Sequence, residues 1–172
     1  MKKLGLICMT VLAVFVMASC RGPKGDPGNA NVASSTVTVY SNNWRWVNNC
    51  QWMVEIDYPA INNNVYNHGA VLVYMDIDGA WSQVPLTHYY EDSFVDEQGQ
   101  TQTVNCAASI EVATLNDGGV RLFWTESDFF DGARPGNHNF KIVAIEASVY
   151  SHRSDVDYSD YEAVKTAFQL AD

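Results

Sequence analysis

The chain has 172 residues, nearly half of them hydrophobic, and its 20 acidic residues against 10 basic ones give a formal net charge of −10 at pH 7. So acidic a chain offers no basic surface to displace counterions from phosphate. This excludes nucleic acid as a partner and disfavours contact of the folded part with anionic lipid headgroups. The length and the apolar content are sufficient for one domain with a single core.

The first nineteen residues have the pattern of an export signal. Lys2 and Lys3 precede an apolar run over residues 4–17, and two small residues follow it. This run is shorter than the ~20 residues that a helix needs to cross a bilayer, so it predicts a cleaved signal rather than a permanent span. We therefore expect residues 1–19 to be removed from the mature protein.

Cys20 follows the export signal directly. The sequence Met-Ala-Ser-Cys over residues 17–20 resembles the lipobox of bacterial lipoproteins, in which small residues precede a cysteine that receives diacylglycerol on its sulfur, although Met17 stands where leucine is usual. The resemblance implies a lipidated Cys20 and an anchor in the cell envelope, at the outer membrane of a Gram-negative bacterium, with its periplasmic or surface face left open. Each buried methylene of the acyl chains contributes ~0.8 kcal/mol, so several chains hold stably. The alternative is a secreted protein with a cysteine near its cleavage site.

Residues 20–31 are predicted to form a tether behind this anchor. Three consecutive triplets begin with glycine, at Gly22, Gly25 and Gly28, and two of them contain proline. Glycine at every third position is the pattern of collagen, but three triplets are too few to hold a triple helix. We expect a stiff spacer of about 28 Å between the lipid and a single folded domain over residues 32–172.

From Val32 onwards the sequence alternates short β patterns with turn signals. Apolar and polar residues alternate over residues 50–58 and most clearly over residues 101–113. Residues 140–145 are apolar on both parities, which is typical of a central strand. About seven or eight such segments predict an all-β fold, an antiparallel β-sandwich of immunoglobulin-like or jelly-roll-like type.

Turn and cap signals complete the fold prediction. Asp-Gly at residues 78–79 and the run at residues 116–119 predict two hairpins, and residues 81–90 are expected to return antiparallel after the first one. Near the end of the chain, Ser159 and Glu162 have the spacing of a capping box ahead of an amphipathic pattern. The sequence therefore predicts a short C-terminal α-helix that lies against the sandwich.

Cys50 and Cys106 are the cysteines that remain once the signal and the lipidation site are set aside. Period-2 patterning points both side chains inwards, and a compartment outside the cytoplasm allows disulfides to persist. A bridge between the two sheets would contribute ~4 kcal/mol on the chain-entropy model. Two unpaired buried thiols satisfy the same pattern, so both alternatives stay open.

No motif of a known catalytic or metal site is evident. The histidines lack the close spacing of a preformed zinc site, and there is no phosphate loop and no Gly-x-Ser-x-Gly elbow. We therefore predict a protein that is not an enzyme and carries no cofactor. A hydrolase whose catalytic side chains meet only in the folded chain remains the alternative.

Two groups of aspartates are weak candidates for calcium. Asp76 and Asp78 precede a glycine, and Asp155, Asp157 and Asp160 precede the predicted helix. Neither group matches the twelve-residue EF-hand loop. Turn formation and helix capping explain both groups more simply.

The aromatic residues provide the candidate binding surface. Trp52 and Trp124 fall on inward positions and are predicted to be core residues. Other aromatics lie beside Asn-rich turns or after a hairpin, where flat rings could stack on sugar faces. These candidate ligand-binding residues are Trp44, Trp46, Trp81, Tyr89 and Tyr90. The alternative is that all the tryptophans fill the sandwich.

The whole pattern resembles a group of small collagen-like lipoproteins of Bacteroidetes-type bacteria. The shared features are the lipobox cysteine, the Gly-x-y triplets, a tryptophan-rich β domain from about residue 30, a hairpin segment at residues 69–74 and the ending at residues 161–165. The resemblance implies the location and the fold, and it carries no established substrate or catalytic residue.

The expected function is that of a lipid-anchored, non-catalytic module that binds a glycan or a protein of the cell envelope. Its partners are then the membrane, through the lipid alone, and that ligand. One alternative is an accessory or structural subunit of an envelope complex that contacts its partner through an edge strand. The other alternative is a periplasmic hydrolase.

Overall fold

The computed structural model describes residues 31–127 and 134–170. The predicted export signal, Cys20 and the tether up to residue 30 lie outside the described residues. The strands are β1 (Val32–Val39), β2 (Arg45–Val47), β3 (Gln51–Asp57), β4 (Ala70–Ile77), β5 (Ala80–Gln83), β6 (Leu86–Val95), β7 (Thr101–Leu115), β8 (Gly119–Glu126) and β9 (His138–Ile145). The helices are α1 (Asn63–His68), α2 (Ala147–Tyr150) and α3 (Tyr161–Phe168), and a 3₁₀ turn covers Ser41–Asn43.

The strands form two antiparallel sheets, which confirms the predicted all-β sandwich. The four-stranded sheet has the order β1-β9-β4-β5, and the five-stranded sheet has the order β2-β3-β8-β7-β6. Their inner faces enclose the main core, in which Trp52 and Trp124 are buried as predicted. Each large apolar side chain buried in this way contributes about 1.5–3 kcal/mol.

Strand β9 faces two cores in turn, which explains why it is apolar on both parities. Phe140 and Ile142 point into the core between the sheets, whereas Val143 and Ile145 point into a second core beneath α3. The central position predicted for this segment is confirmed, because β9 lies between β1 and β4. The C-terminal helix is confirmed as well, and it covers the outer face of the four-stranded sheet.

Both predicted hairpins form, but the antiparallel return predicted over residues 81–90 is confirmed only as far as Gln83. Asp78 and Gly79 have the positive φ values, 52° and 84°, that a two-residue turn requires. The return strand β5 ends at Gln83, although Val84 N–H still donates to the carbonyl of Val73 at 2.8 Å. Pro85 has no N–H to continue the ladder, and the chain then enters the other sheet as β6.

The start of the C-terminal helix also differs from the prediction. Asp160, not Ser159, is the N-cap residue, and its carboxylate accepts a hydrogen bond from Glu162 N–H at 2.9 Å. Ser159 instead donates through both its backbone N–H and its hydroxyl to Asp157. Three residues suit the N-cap chemically within this polar stretch, and the packing of α3 on the sheet selects among them.

The inter-sheet disulfide is not the alternative that the structure adopts. Cys50 lies in the turn before β3 and Cys106 lies in β7, so both belong to the five-stranded sheet, with β8 between their strands. They are not bonded to each other, and both are half-buried. Alternation predicted a face for each cysteine but could not predict that the two share a sheet.

The hairpin of β6 and β7 extends beyond the sandwich. These strands pair from Leu86↔Ile110 to Val95↔Thr101, whereas β8 pairs with β7 only from Ala108 onwards. Residues 91–95 and 101–105 are consequently exposed on both faces. We call this two-stranded projection, residues 91–105, the ribbon.

Candidate functional site

A cleft of about 360 Å³ opens at the end of the sandwich where the ribbon begins. One wall is the inner face of the five-stranded sheet, and the other is formed by the segment that leads into β9. The cleft follows from the register of the strands. Beyond the row that contains Ile110 and Trp124, the four-stranded sheet covers little of the inner face of the five-stranded sheet. Cross-strand neighbours on that face are the row His88–Ala108–Glu126 and the pair Tyr90↔Cys106.

Trp124 forms the floor of the cleft. Although only 3% of its surface is exposed, the His138 imidazole stacks on it with ring centroids 4.9 Å apart and an interplanar angle of 22°. His88 approaches its edge at 6.0 Å, and Tyr90 lies tilted at 6.2 Å. His88 and Tyr90 also stack on each other at 5.6 Å. These rings together give the cleft an aromatic surface with polar atoms at its edges.

Glu126 is held by two hydrogen bonds. Its Oε2 accepts from the Tyr90 hydroxyl at 2.6 Å, and its Oε1 accepts from the Trp124 indole N–H at 2.5 Å. Burial, and next the hydrogen bond to Glu126, raise the pKa of Tyr90 well above its ordinary value, so the phenol stays a donor. A carboxylate oxygen can accept more than one hydrogen bond, so Glu126 can still accept a hydroxyl group of a ligand.

The two histidines add donors and acceptors to the aromatic surface. Burial, and then the proximity of His88, lower the pKa of His138 below its ordinary value, so its imidazole is neutral at pH 7. A neutral imidazole offers one donor and one acceptor. At the rim, the guanidinium of Arg134 lies 5.3 Å from the centre of the Trp52 ring, a distance typical of a cation–π contact.

The cleft lies at the far end of the sandwich from the point where the predicted tether enters. Val32 at the start of β1 pairs with Ile145, whereas Val39 at its end pairs with His138, which lines the cleft. A strand of this length separates the two ends by about 25 Å.

Trp44 and Trp46 do not form the exposed surface that the sequence suggested. Trp44 is 2% exposed and packs edge-on against Trp124 at 6.3 Å, so the prediction that it faces a ligand is wrong. Trp46 is half-buried on edge strand β2, with its ring 5.2 Å from that of Trp52. Trp44 precedes β2 and Trp46 lies within it, and both rings pack against tryptophans of the same sheet.

Trp81 lies on the other side of the molecule. Its ring packs edge-on to Tyr161 of α3 at 5.9 Å and is partly buried against the second core, so it does not line the cleft. Tyr89 is 78% exposed and points to the outer face of its strand. Of the five aromatic candidates, Tyr90 is the one that lines the cleft.

The aspartates suggested for calcium have local structural roles. Asp76 accepts a hydrogen bond from Gly79 N–H at 3.0 Å within the hairpin turn, and Asp78 has the left-handed conformation of that turn. Asp155 forms an ion pair with Arg153 at 3.2 Å, and its pKa is lowered by that hydrogen bond. Within residues 31–127 and 134–170, no group of three or more histidine, cysteine or acidic side chains is placed to hold a metal ion.

Sequence reasoning missed most of the cleft. His88, His138, Glu126, Cys106 and Arg134 were not singled out as binding residues, although each lines it. The alternation of side chains could have indicated these positions. His88 and Tyr90 continue the inward-facing alternation after Leu86, and Glu126 continues it after Trp124, but all three carry polar groups. A polar continuation of an inward series marks the place where a strand leaves the core.

Comparisons of the chain with protein-family models, with curated proteins and with solved structures found no match. Among the helices that the structure describes, none combines the length and the apolar character required to span a bilayer.

Proposed function

We propose that the chain is a lipid-anchored protein of the bacterial cell envelope whose β-sandwich binds a glycan, without catalysis, in the cleft at its open end. The observation that carries the proposal is the Glu126 carboxylate, held by Tyr90 and Trp124 beside a stacked aromatic surface. A pocket that combines aromatic side chains with a few fixed polar groups is typical of a site for a small ligand.

The chemistry of the cleft suits a sugar ring. One face of a hexose presents C–H groups that pack on an aromatic ring, and its edge presents hydroxyl groups. His138 and Tyr90, both partly exposed, supply rings, while Glu126 supplies a charged acceptor, and hydrogen bonds to a charged group are about twice as strong as neutral ones. The neutral His138 imidazole can accept or donate one further bond.

The orientation of the cleft agrees with display from a membrane anchor. The predicted tether leads into β1 at Val32, and the cleft lies at the opposite end of that strand, beside His138. A ligand site at this end faces away from the proposed lipid at Cys20. Replacing Cys20 with alanine should release the protein from the membrane fraction, and a variant that stays membrane-bound would contradict the lipid anchor.

The glycan proposal is tested by retention of the purified lipoprotein, in detergent, on a broad panel of immobilised glycans. We expect retention on a subset of the panel, and a loss of affinity of roughly tenfold or more in Glu126→Gln and in His138→Ala. Glu111→Gln is the matched control, because Glu111 is exposed on the outer face of the same sheet. Retention on no glycan, or equal binding by all variants, would refute the proposal.

Hydrolysis is the second candidate, because the cleft gathers a histidine, His88, with two carboxylates, Glu126 and Asp92. Binding is favoured because both oxygens of Glu126 accept hydrogen bonds, an arrangement that suits an ionised acceptor rather than a general acid that must carry a proton. Incubation with each retained glycan, followed by an assay for new reducing ends, separates the two. Release that disappears in Glu126→Gln would replace binding by hydrolysis.

A further inference from the structure

The ribbon presents an unpaired strand edge. β6 is the last strand of its sheet, and it pairs only with β7. Asp96 N–H donates to the carbonyl of Gln100 at 2.9 Å, so this pair and every second pair along the hairpin carry the ladder hydrogen bonds. The backbone groups of the alternate residues, from Tyr89 through Glu91 and Ser93 to Val95, therefore point away from β7.

Apolar side chains project from both faces of this edge. Phe94 is 52% exposed on the inner face, and Val95 is 67% exposed on the outer face. Tyr89 is exposed on the outer face, and Val104 is exposed beside Asp92 on the inner face. A sugar chain would cover one face of the ribbon, whereas a strand added at the edge places its own side chains on both faces in alternation.

The ribbon is acidic and carries no positive charge. Glu91, Asp92, Asp96 and Glu97 are its charged residues, and it contains no lysine or arginine. The ion pairs at Glu55 and at Asp155 lie outside the ribbon. Asp96 accepts from the backbone of Gln98 and Gln100 within the turn, and Oδ1 of Asp92 accepts from the Ser93 N–H at 2.7 Å. Glu91 and Asp92 lie on opposite faces of the edge, and each keeps a carboxylate oxygen for a basic partner.

The negative charge of the ribbon indicates which kind of partner can bind there. A second copy of the chain, paired through the same edge, would place carboxylates beside carboxylates, which is unfavourable for directly opposed strands. We propose that the free edge of β6 binds an extended, basic segment of another envelope protein by strand addition. Each face of the edge has a carboxylate next to an apolar side chain. The fitting segment has two consecutive basic residues, one for Glu91 and one for Asp92, flanked by apolar residues.

The test uses the purified lipoprotein in detergent and two short synthetic peptides measured by fluorescence anisotropy. Both peptides alternate valine and threonine, and their two central residues are lysines in one peptide and glutamates in the other. We expect the lysine peptide to bind and the glutamate peptide not to bind, and we expect the affinity to fall as the salt concentration rises. Equal binding of the two peptides would overturn the proposal.

Two variants locate the site. Combining Glu91→Gln with Asp92→Asn should weaken the lysine peptide roughly tenfold, whereas combining Glu111→Gln with Asp117→Asn, away from the ribbon, should leave it unchanged. Val95→Pro removes an edge donor that the β7 ladder does not use, so it should abolish binding while the melting temperature stays close to that of the unchanged protein. Binding that survives Val95→Pro would overturn strand addition.

Two further results bear on the identity of the occupant. Sedimentation should show a monomer, and a dimer that Val95→Pro dissociates would assign the edge to a second copy instead. Glycan retention by the cleft should persist in Val95→Pro, because the cleft side chains belong to other positions. Because Asp92 lines the cleft as well as the edge, Val95→Pro is the variant that distinguishes failure of the docking edge from failure of the glycan cleft.

Discussion

The hydrogen bonds to Glu126 make a prediction about stability that does not require a known ligand. In Glu126→Gln, the amide oxygen can still accept from the Trp124 indole N–H, and the amide group can donate to the Tyr90 oxygen. The geometry is kept, but both bonds become neutral. A hydrogen bond to a charged group contributes about 1.5–3 kcal/mol and a neutral one about 0.5–1.5 kcal/mol. We expect the free energy of unfolding to fall by about 2 kcal/mol.

Glu126→Ala tests the same two hydrogen bonds by removing their acceptor. Glu126→Ala leaves the Trp124 N–H, which belongs to a residue that is 3% exposed, without its acceptor, so the loss should be larger than in Glu126→Gln. Tyr90→Phe removes one of the two bonds to the carboxylate and should cost about 2 kcal/mol. Because these residues share a contact, the combination of Tyr90→Phe with Glu126→Gln should cost less than the two single changes together.

Urea denaturation followed by tryptophan fluorescence measures these differences, since Trp124 itself lies at the site. Glu111→Gln, on the exposed outer face of β7, is the control and should change the free energy of unfolding by less than about 0.5 kcal/mol. If Glu126→Gln proved as stable as the unchanged protein, the two bonds would contribute nothing net. The case for Glu126 as a fixed acceptor would then fail.

Three further predictions concern the cleft and the two cores. Because the pKa of His138 is lowered in the folded chain, the unfolded chain binds more protons at mildly acidic pH. The free energy of unfolding should therefore fall as the pH drops below about 6.5. His138→Gln should reduce this dependence of stability on pH, measured by denaturation at a series of pH values. Lys141 is 5% exposed, and its ammonium lies 4.7 Å from the centre of the Tyr161 ring. Lys141→Glu should therefore lower the free energy of unfolding by about 3 kcal/mol more than Lys141→Met. Denaturation measures both losses, and equal losses would contradict a cation–π role. Trp44→Ala should cost about 4 kcal/mol and the half-buried Trp46→Ala clearly less, and the reverse order would contradict the burial described above.

The fold was largely predictable because alternation is a local property. The long strand that contains Val112 and Ala113 and the doubly apolar β9 both follow directly from the period of their side chains. The failure after the first hairpin has a different cause. Pro85 interrupts the pattern of residues 81–90, but only the tertiary arrangement shows that the chain continues into the other sheet after it.

The site was less predictable because parity reveals a face but not the extent of the layer that covers it. Trp124 and His88 both face inwards, yet the first is the floor of a cleft and the second is part of its wall. The position at which the four-stranded sheet stops decides this, and that position depends on β9 starting at His138. Trp44 shows the converse, because a residue beside an Asn-rich turn is buried in the core, against Trp124.

The cleft and the docking edge share one structural cause. Strands β6 and β7 continue past the last row that β8 and the opposite sheet can cover, so their inner face opens as the cleft beside Tyr90 and their outer edge stays unpaired beyond it. A shorter hairpin that ended near His88 would remove Tyr90 from the cleft, and it would lose the exposed apolar side chains at Phe94 and Val95. An isolated two-stranded ribbon is marginally stable in water, so keeping it in the fold has a cost. That cost is consistent with a ribbon retained for contacts outside this chain, at the end of the sandwich that faces away from the predicted tether.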